Sequence, residues 1–360
     1  MSLSRPRGLV TALAAAGLIL SLAAGCSSPA PEPTPTETVA PTVEPTETPT
    51  PTPEPEPEPA VVWPLTGVAV DEVAQRPAVA VKIENTAAAR PQTGLNEADV
   101  VWETIIEFDV SRLMAVFHSN YPTDVGPIRS VRPVDMRIYS PLKPVFVFSG
   151  GQKGILNLVR EAPGHWLEEN RGVSQMWRAK DRRAPHNLYG SVEGLATLAP
   201  ELTAAPPQQF VFAPTAQESA AIASGAVTST IDLNMSAAAK PGWDWDAATN
   251  SWLRREGKTK ATVSGGDQIR ATNVVIIEVK AVDSGFDAQN KAPVPDNILE
   301  GTGTAIIATG GKTVEATWSK ADQNAPLVLL TATGEPAPLA PGNTWVELLP
   351  QPQGTYTLTP

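Results

Sequence analysis

Residues 27–60 cannot fold on their own, and that confines every possible core to the chain on the far side of them. The stretch is built almost only of Pro, Thr, Glu, Ser, Ala and Val, in runs such as PTPTET and PTPEPEPEPA. It has no aromatic residue and no Lys or Arg, so nothing in it repays the entropy of ordering a chain. Recurrent Pro favours extended polyproline II, and the glutamates repel one another. At ~3.1 Å per residue the stretch reaches roughly 100 Å, which reads as a semi-rigid spacer. Its Thr-Pro composition also permits O-glycosylation. Seven of the chain's acids lie here, against a net charge of −11 for all 360 residues. The chain beyond residue 60 is therefore only mildly acidic, and the overall balance argues against nucleic-acid binding.

Upstream, Arg5 and Arg7 make a short basic start, and Leu9 to Leu22 is almost wholly apolar or small. This run is too short for a comfortable spanning helix of about 20 residues, and it has the layout of an export signal. It ends in Leu22-Ala23-Ala24-Gly25-Cys26. Small residues before the cut let a peptidase approach the backbone, and a thiol just after it accepts diacylglycerol. The run resembles a lipobox, with Ala23 in the slot that Leu commonly takes. Cys26 is the only cysteine, so no internal disulfide can form and acylation would remove a reactive exported thiol. The expectation is a signal peptide over 1–25 and a lipidated Cys26 opening a tether over 26–60. The mature protein would then sit at the outer face of the cytoplasmic membrane.

Beyond residue 60 the texture suggests two parts. AVAVKI (78–83), ADVVWETIIEFDV (98–110), RLMAVFHS (112–119) and PVFVFSGG (144–151) are rich in branched and aromatic residues. GILNLVREA (154–162) has helical spacing, with Ile155, Leu158 and Val159 on one side, and a short helix is expected from Val192 to Ala199 with Ser191 as its cap. Strand, Gly-rich turn and helix is α/β grammar, with α+β as the other possibility. An Ala/Ser-rich stretch (216–226) reads as a helix. Hairpin-like runs come after it at 243–256, 268–282, 303–320 and 325–339. The division expected is an α/β domain over 61–215 and a smaller β-rich domain over 216–360.

The motifs WPLTGVAVDE (63–72), RPAVAVKIEN (76–85), ARPQTGLNEADVVWE (89–103), GPIRSVRPVD (126–135) and APHNLYGS (184–191) resemble the YerB-like bacterial lipoproteins. GKTVEATWSK (311–320) and PGNTWVELLP (341–350) resemble that family's C-terminal domain. The resemblance covers nearly all of the chain beyond the tether, in the right order. It implies a two-domain exported lipoprotein and leaves activity open.

Basic residues cluster locally despite the acidic total. Residues 128–143 hold Arg129, Arg132, Arg137 and Lys143 against Asp135, and residues 171–186 hold five bases against Asp181 before ending at His186. Guanidinium forks grip carboxylate or phosphate through paired hydrogen bonds. Should the two stretches meet, with Ser149-Gly150-Gly151 adding backbone donors, they would form an anion site. The blander alternative is that the arginines merely pair with Glu103, Glu107, Glu161, Glu168 and Glu169. His186 could serve as a general base with Asn187 orienting it, or simply fix a loop. Glu103 and Glu107 would approach one another on a helix but lie far apart on a strand, and the β-branched surroundings favour a strand. A carboxylate there is better read as orienting Arg112 or Arg129. Trp243 and Trp245, two apart, read as core rather than as a platform for sugars.

No HExxH, CxxC or GxSxG is present, so no metal, cofactor or familiar nucleophile is expected. The leading expectation is a module that binds an anionic envelope ligand, a cell-wall polymer or an envelope protein, through Arg129, Arg132, His186 and Asn187, with Glu103 and Arg112 orienting them. One rival is an envelope hydrolase or transferase using His186 with Glu103 or Glu107. A non-catalytic assembly scaffold is another.

Overall fold

The computed structural model describes residues 60–360, apart from the side chain of Asn290. The expected signal peptide, Cys26 and the tether up to Pro59 lie outside the described residues. Two sequence regions form a mixed, sheet-rich fold with few helices, an α/β arrangement followed by a β-rich one. Among the described residues no helix is long and apolar enough to cross a membrane.

The N-terminal region contributes β1 (Val79–Glu84), β2 (Val100–Ile105), β3 (Ser111–Phe117), helix α1 (Val134–Tyr139), β4 (Val145–Phe148), helix α2 (Lys153–Glu161) and β5 (His165–Glu168). Strands β1 to β4 are buried at every position. That is why their sequences run apolar without alternating, as strands covered on both faces do. β4, the Gly150-Gly151 turn, α2 and β5 make a βαβ unit, since β5 lies parallel beside β4 with Val145 opposite His165. The Gln152 side chain caps α2 by accepting from the Gly154 and Ile155 N–H groups. Ile155 and Val159 face the core, whereas Leu158 is exposed and Leu156 packs in its place. Helical spacing places Leu158 inside; in the fold the helix is turned slightly about its axis. The helix expected over 192–199 forms over Val192–Ala196 and stops three residues short, with the Ser191 hydroxyl accepting from Gly194 N–H at 3.1 Å.

The C-terminal region does not build a separate sheet for its long strands. Asn273–Asp287 lies antiparallel to Gly301–Thr309, which turns through Gly310 and Gly311, both at positive φ, into Lys312–Lys320. A two-residue hairpin turn of that hand suits glycine at both positions. Thr344–Gln351 then runs parallel to Asn273–Asp287 on one side and to β2 on the other. One twelve-stranded sheet thus spans both regions; its main path runs 328–330, 312–320, 301–309, 273–287, 344–351, β2, β3, β1, β4, β5, with 293–298 paired to 273–287 and 226–227 to 312–320 off that path. A six-stranded sheet that includes 230–234, 241–246, 251–256 and 355–359 packs on one face of it. There Trp243 meets Trp345 edge to face, ring centroids 5.2 Å apart, and is fully buried. The opposite face carries α1, α2 and Phe210.

Candidate functional site

The pleat of β1 and β3 decides which charges share a face. Glu84 on β1 lies directly opposite Arg112 on β3, so both side chains project to the face that carries α1 and α2. Glu103 on β2 lies opposite Leu113 instead, one step out of phase, and projects to the other face. There it accepts from Asn85 at 3.1 Å, from Ser111, and from Arg254 at 2.5 Å. Glu103 is therefore not a partner of Arg112 or Arg129, contrary to the expectation from sequence, because strand period two turns it away from them.

Residues 127–132 lie across the ends of β1 and β4. Arg129 N–H donates to Lys82 O at 2.8 Å, Ser149 N–H to Arg129 O at 3.0 Å, and Val131 N–H to Gly150 O at 3.0 Å. Those bonds place Arg129, Ser130 and Arg132 beside the Ser149-Gly150-Gly151 turn. Gly150 sits at φ 148, and a Cβ there would lie 2.7 Å from Asn170 Nδ2, so no other residue fits without displacing that side chain. A cleft of roughly 700 Å³ opens at this point, into which Arg112, Arg129, Arg132 and His186 converge. Phe108, Ile155 and Val294 add apolar wall.

The charges in the cleft are numerically balanced: Arg112, Arg129, Arg132 and Arg178 against Glu84, Glu107, Glu169 and Asp287. They are not equally committed. Arg132 Nε donates to Glu107 Oε2 at 2.6 Å while its Nη2 donates to Oε1, a closed bidentate pair. Arg178 pairs with Glu169 at 3.0 Å. Arg112, by contrast, donates to the Ser130 carbonyl at 2.8 Å and has its carboxylate contact, Glu107, 3.9 Å away. Burial and then the neighbouring Arg132 guanidinium push Arg112 down to about 9. It stays charged at neutral pH, in surroundings that would favour an added anion. Arg129 Nε is buried and makes no hydrogen bond, although Glu84 Oε2 stands 3.3 Å from it.

His186 reaches the cleft from the loop after residue 178. Its Nδ1 lies 2.9 Å from both Glu84 oxygens, and Glu84 is 1 % exposed. Asn187 does not line the cleft. Its Nδ2 donates to Ala179 O and Arg182 O, and its Oδ1 accepts from Arg178. Its side-chain hydrogen bonds are all made within the loop. Of the residues singled out from sequence, the fold thus brings together Arg112, Arg129, Arg132, His186 and Glu107, and leaves out Glu103 and Asn187. Sequence reasoning misses Glu84, although it closes the apolar run AVAVKI inside a recognised motif.

The comparisons with known proteins match the same layout. Residues 65–205 match the model for the N-terminal domain of a protein of unknown function, DUF3048, and residues 231–346 match the model for its C-terminal domain. The chain belongs to the DUF3048 family. Within Bacillus subtilis (strain 168), the protein called "Putative lipoprotein YerB" is 26% identical over 80% of this chain and 86% of its own length. The crystal structure of YerB protein from Bacillus subtilis superposes with a TM-score of 0.70 at 23% identity, over 82% of this chain and 99% of that one. That likeness bears on fold. In this DUF3048 chain the basic residues of the cleft all come from the N-terminal match, while Asp287, Ala288, Gln289 and Val294 come from the C-terminal one. Among the described residues no cluster of three His, Cys, Asp or Glu could hold a metal ion.

Proposed function

We propose that this protein is a lipoprotein held by acyl chains on Cys26 at the outer face of the cytoplasmic membrane, and that its cleft binds an anionic cell-envelope ligand. The leader and its Leu-Ala-Ala-Gly-Cys run support the anchor, and so does the name of the Bacillus relative. Two acyl chains, at about 0.8 kcal/mol per buried methylene, make a durable attachment. The tether would carry the cleft into the wall layer. The observation that carries the binding reading is the uneven commitment of charge: Arg112 and Arg129 face one cleft beside a glycine turn with guanidinium capacity unspent. A phosphate-bearing wall polymer offers repeated tetrahedral anions that such a pair would grip.

Arg132 is spent on Glu107, so the informative double substitution is Arg112→Gln with Arg129→Gln. Purified protein should co-sediment with wall fragments that retain their phosphate polymer, and much less with fragments stripped of it. Charge-assisted bonds of about 1.5–3 kcal/mol each imply at least a tenfold loss of retention in the double variant. Equal retention on stripped wall, or by the double variant, contradicts the reading.

A further inference from the structure

We infer that the cleft also hydrolyses phosphodiesters, with His186 as general base and Glu84 as its positioning residue; this rests on the anion-binding reading above. The Nδ1 nitrogen faces both oxygens of Glu84 at 2.9 Å. That carboxylate is itself held by the Thr86 hydroxyl at 2.9 Å, and the Arg129 guanidinium stands 3.3 Å from it without a hydrogen bond from Nε. A carboxylate on Nδ1 keeps the neutral ring's proton there and leaves the Nε2 lone pair free. The His186 side chain is 28 % exposed and lines the cleft, and Nε2 has no hydrogen-bond partner among the described residues.

Loop fixing does not account for the arrangement. The loop is already tied by Asn187 to Ala179 and Arg182, and by Arg182 to the carbonyls of Ala89 and Pro91. His186 adds an oriented base to a loop that is held without it. The Ser130 and Ser149 hydroxyls, 3.4 Å apart, line the same cleft and offer hydrogen bonds to an incoming water. In the step, Nε2 takes a proton from water and the water oxygen bonds to phosphorus. The bond from phosphorus to the leaving oxygen breaks, and that oxygen departs with the electron pair. The proton on His186 returns through solvent, so one diester and one water give one monoester and one alcohol. Arg112 and Arg129 would stabilise the charge that builds on the phosphoryl oxygens.

Bis(4-nitrophenyl) phosphate is the probe, since its leaving group needs no acid. The wild-type protein should release nitrophenolate above the protein-free rate in buffer containing EDTA. His186→Ala should lower kcat by about a hundredfold with KM unchanged, and added imidazole should restore part of it. Glu84→Asp should keep more activity than Glu84→Gln, with folding of both checked by circular dichroism. Inorganic phosphate binding, followed calorimetrically, should survive His186→Ala. Turnover at the protein-free rate, an unchanged His186→Ala variant, or loss without imidazole rescue overturns catalysis. If phosphate binds and no turnover occurs, catalysis alone falls; if phosphate does not bind, the binding reading falls with it.

Discussion

Lys82 and Asp135 are both wholly buried, 2.6 Å apart, directly beneath the cleft wall. Asp135 also accepts from the Arg132 backbone N–H at 2.6 Å. Cutting Lys82 to Met would strand that carboxylate, a loss of about 3–5 kcal/mol by chemical denaturation, whereas Lys82→Met with Asp135→Leu should recover most of it. A second buried cluster lies across the sheet. Glu347 stands opposite Glu103 in register, and its Oε1 accepts from Trp243 Nε1 at 2.9 Å and Arg254 at 2.8 Å. Burial, then the charge of Glu103, push Glu347 well above the usual carboxylate range. Although burial opposes it, Arg254 holds Glu103 below that range. Glu347 Oε2 is buried with no hydrogen-bond partner among the described residues, an environment that favours the protonated form. A raised folded-state value stabilises fully below the ordinary value of 4.5 and ceases to do so as pH rises through the raised one. Glu347→Gln keeps both bonds without the titration, so its melting temperature should gain on the wild type as pH rises; parallel curves would contradict this. The bases were legible from local clustering alone. Glu84 and Glu347 were not, because their roles depend on cross-strand register and on partners tens of residues away.

Between β2 and β3 the chain turns through Phe108 at φ 65 and Asp109 at φ 58, two successive left-handed residues that are not glycine. Each costs about 1–2 kcal/mol relative to a right-handed backbone. Ile106 N–H donating to Val110 O, the Ser236 hydroxyl donating to Asp109 O, and Glu107 gripping Arg132 hold the turn in place. Phe108 is 60% exposed at the cleft wall, where glycine would relieve the strain. Phe108→Gly should therefore leave thermal stability unchanged or raised while weakening wall retention; equal retention would leave the strain unexplained by ligand contact. Gly150→Ala should also weaken retention, since the new Cβ meets Asn170 Nδ2 at 2.7 Å inside the cleft. At this scale most elements were readable: β4, its glycine turn, α2 and the 301–320 hairpin arise from apolar runs and turn residues. The 106–110 turn was not, because neither Phe nor Asp there signals a left-handed backbone.

The joining of the two regions through the parallel pair of β2 and Thr344–Gln351 makes them one sheet, and the described residues 60–360 belong to one compact unit. Separating them would bare two central strands that are buried on both faces. Unfolding should be a single transition, with calorimetric and van't Hoff enthalpies equal; two resolved transitions would contradict a shared sheet. Sequence revealed two textures, one α/β and one β-rich, but no local pattern announces a seam formed by residues more than 200 apart. The cleft was hidden for the same reason: its walls come from β1, β3, the glycine turn, the His186 loop and the C-terminal region. The central claim is that Arg112 and Arg129 hold a phosphate-bearing polymer there. Calorimetric titration of a soluble glycerol-phosphate oligomer into the folded protein and into the Arg112→Gln, Arg129→Gln variant tests it most directly. Saturable one-site binding by the wild type, weakened at least about tenfold in the variant, is the predicted result. No binding by the wild type, or matching isotherms, would contradict it.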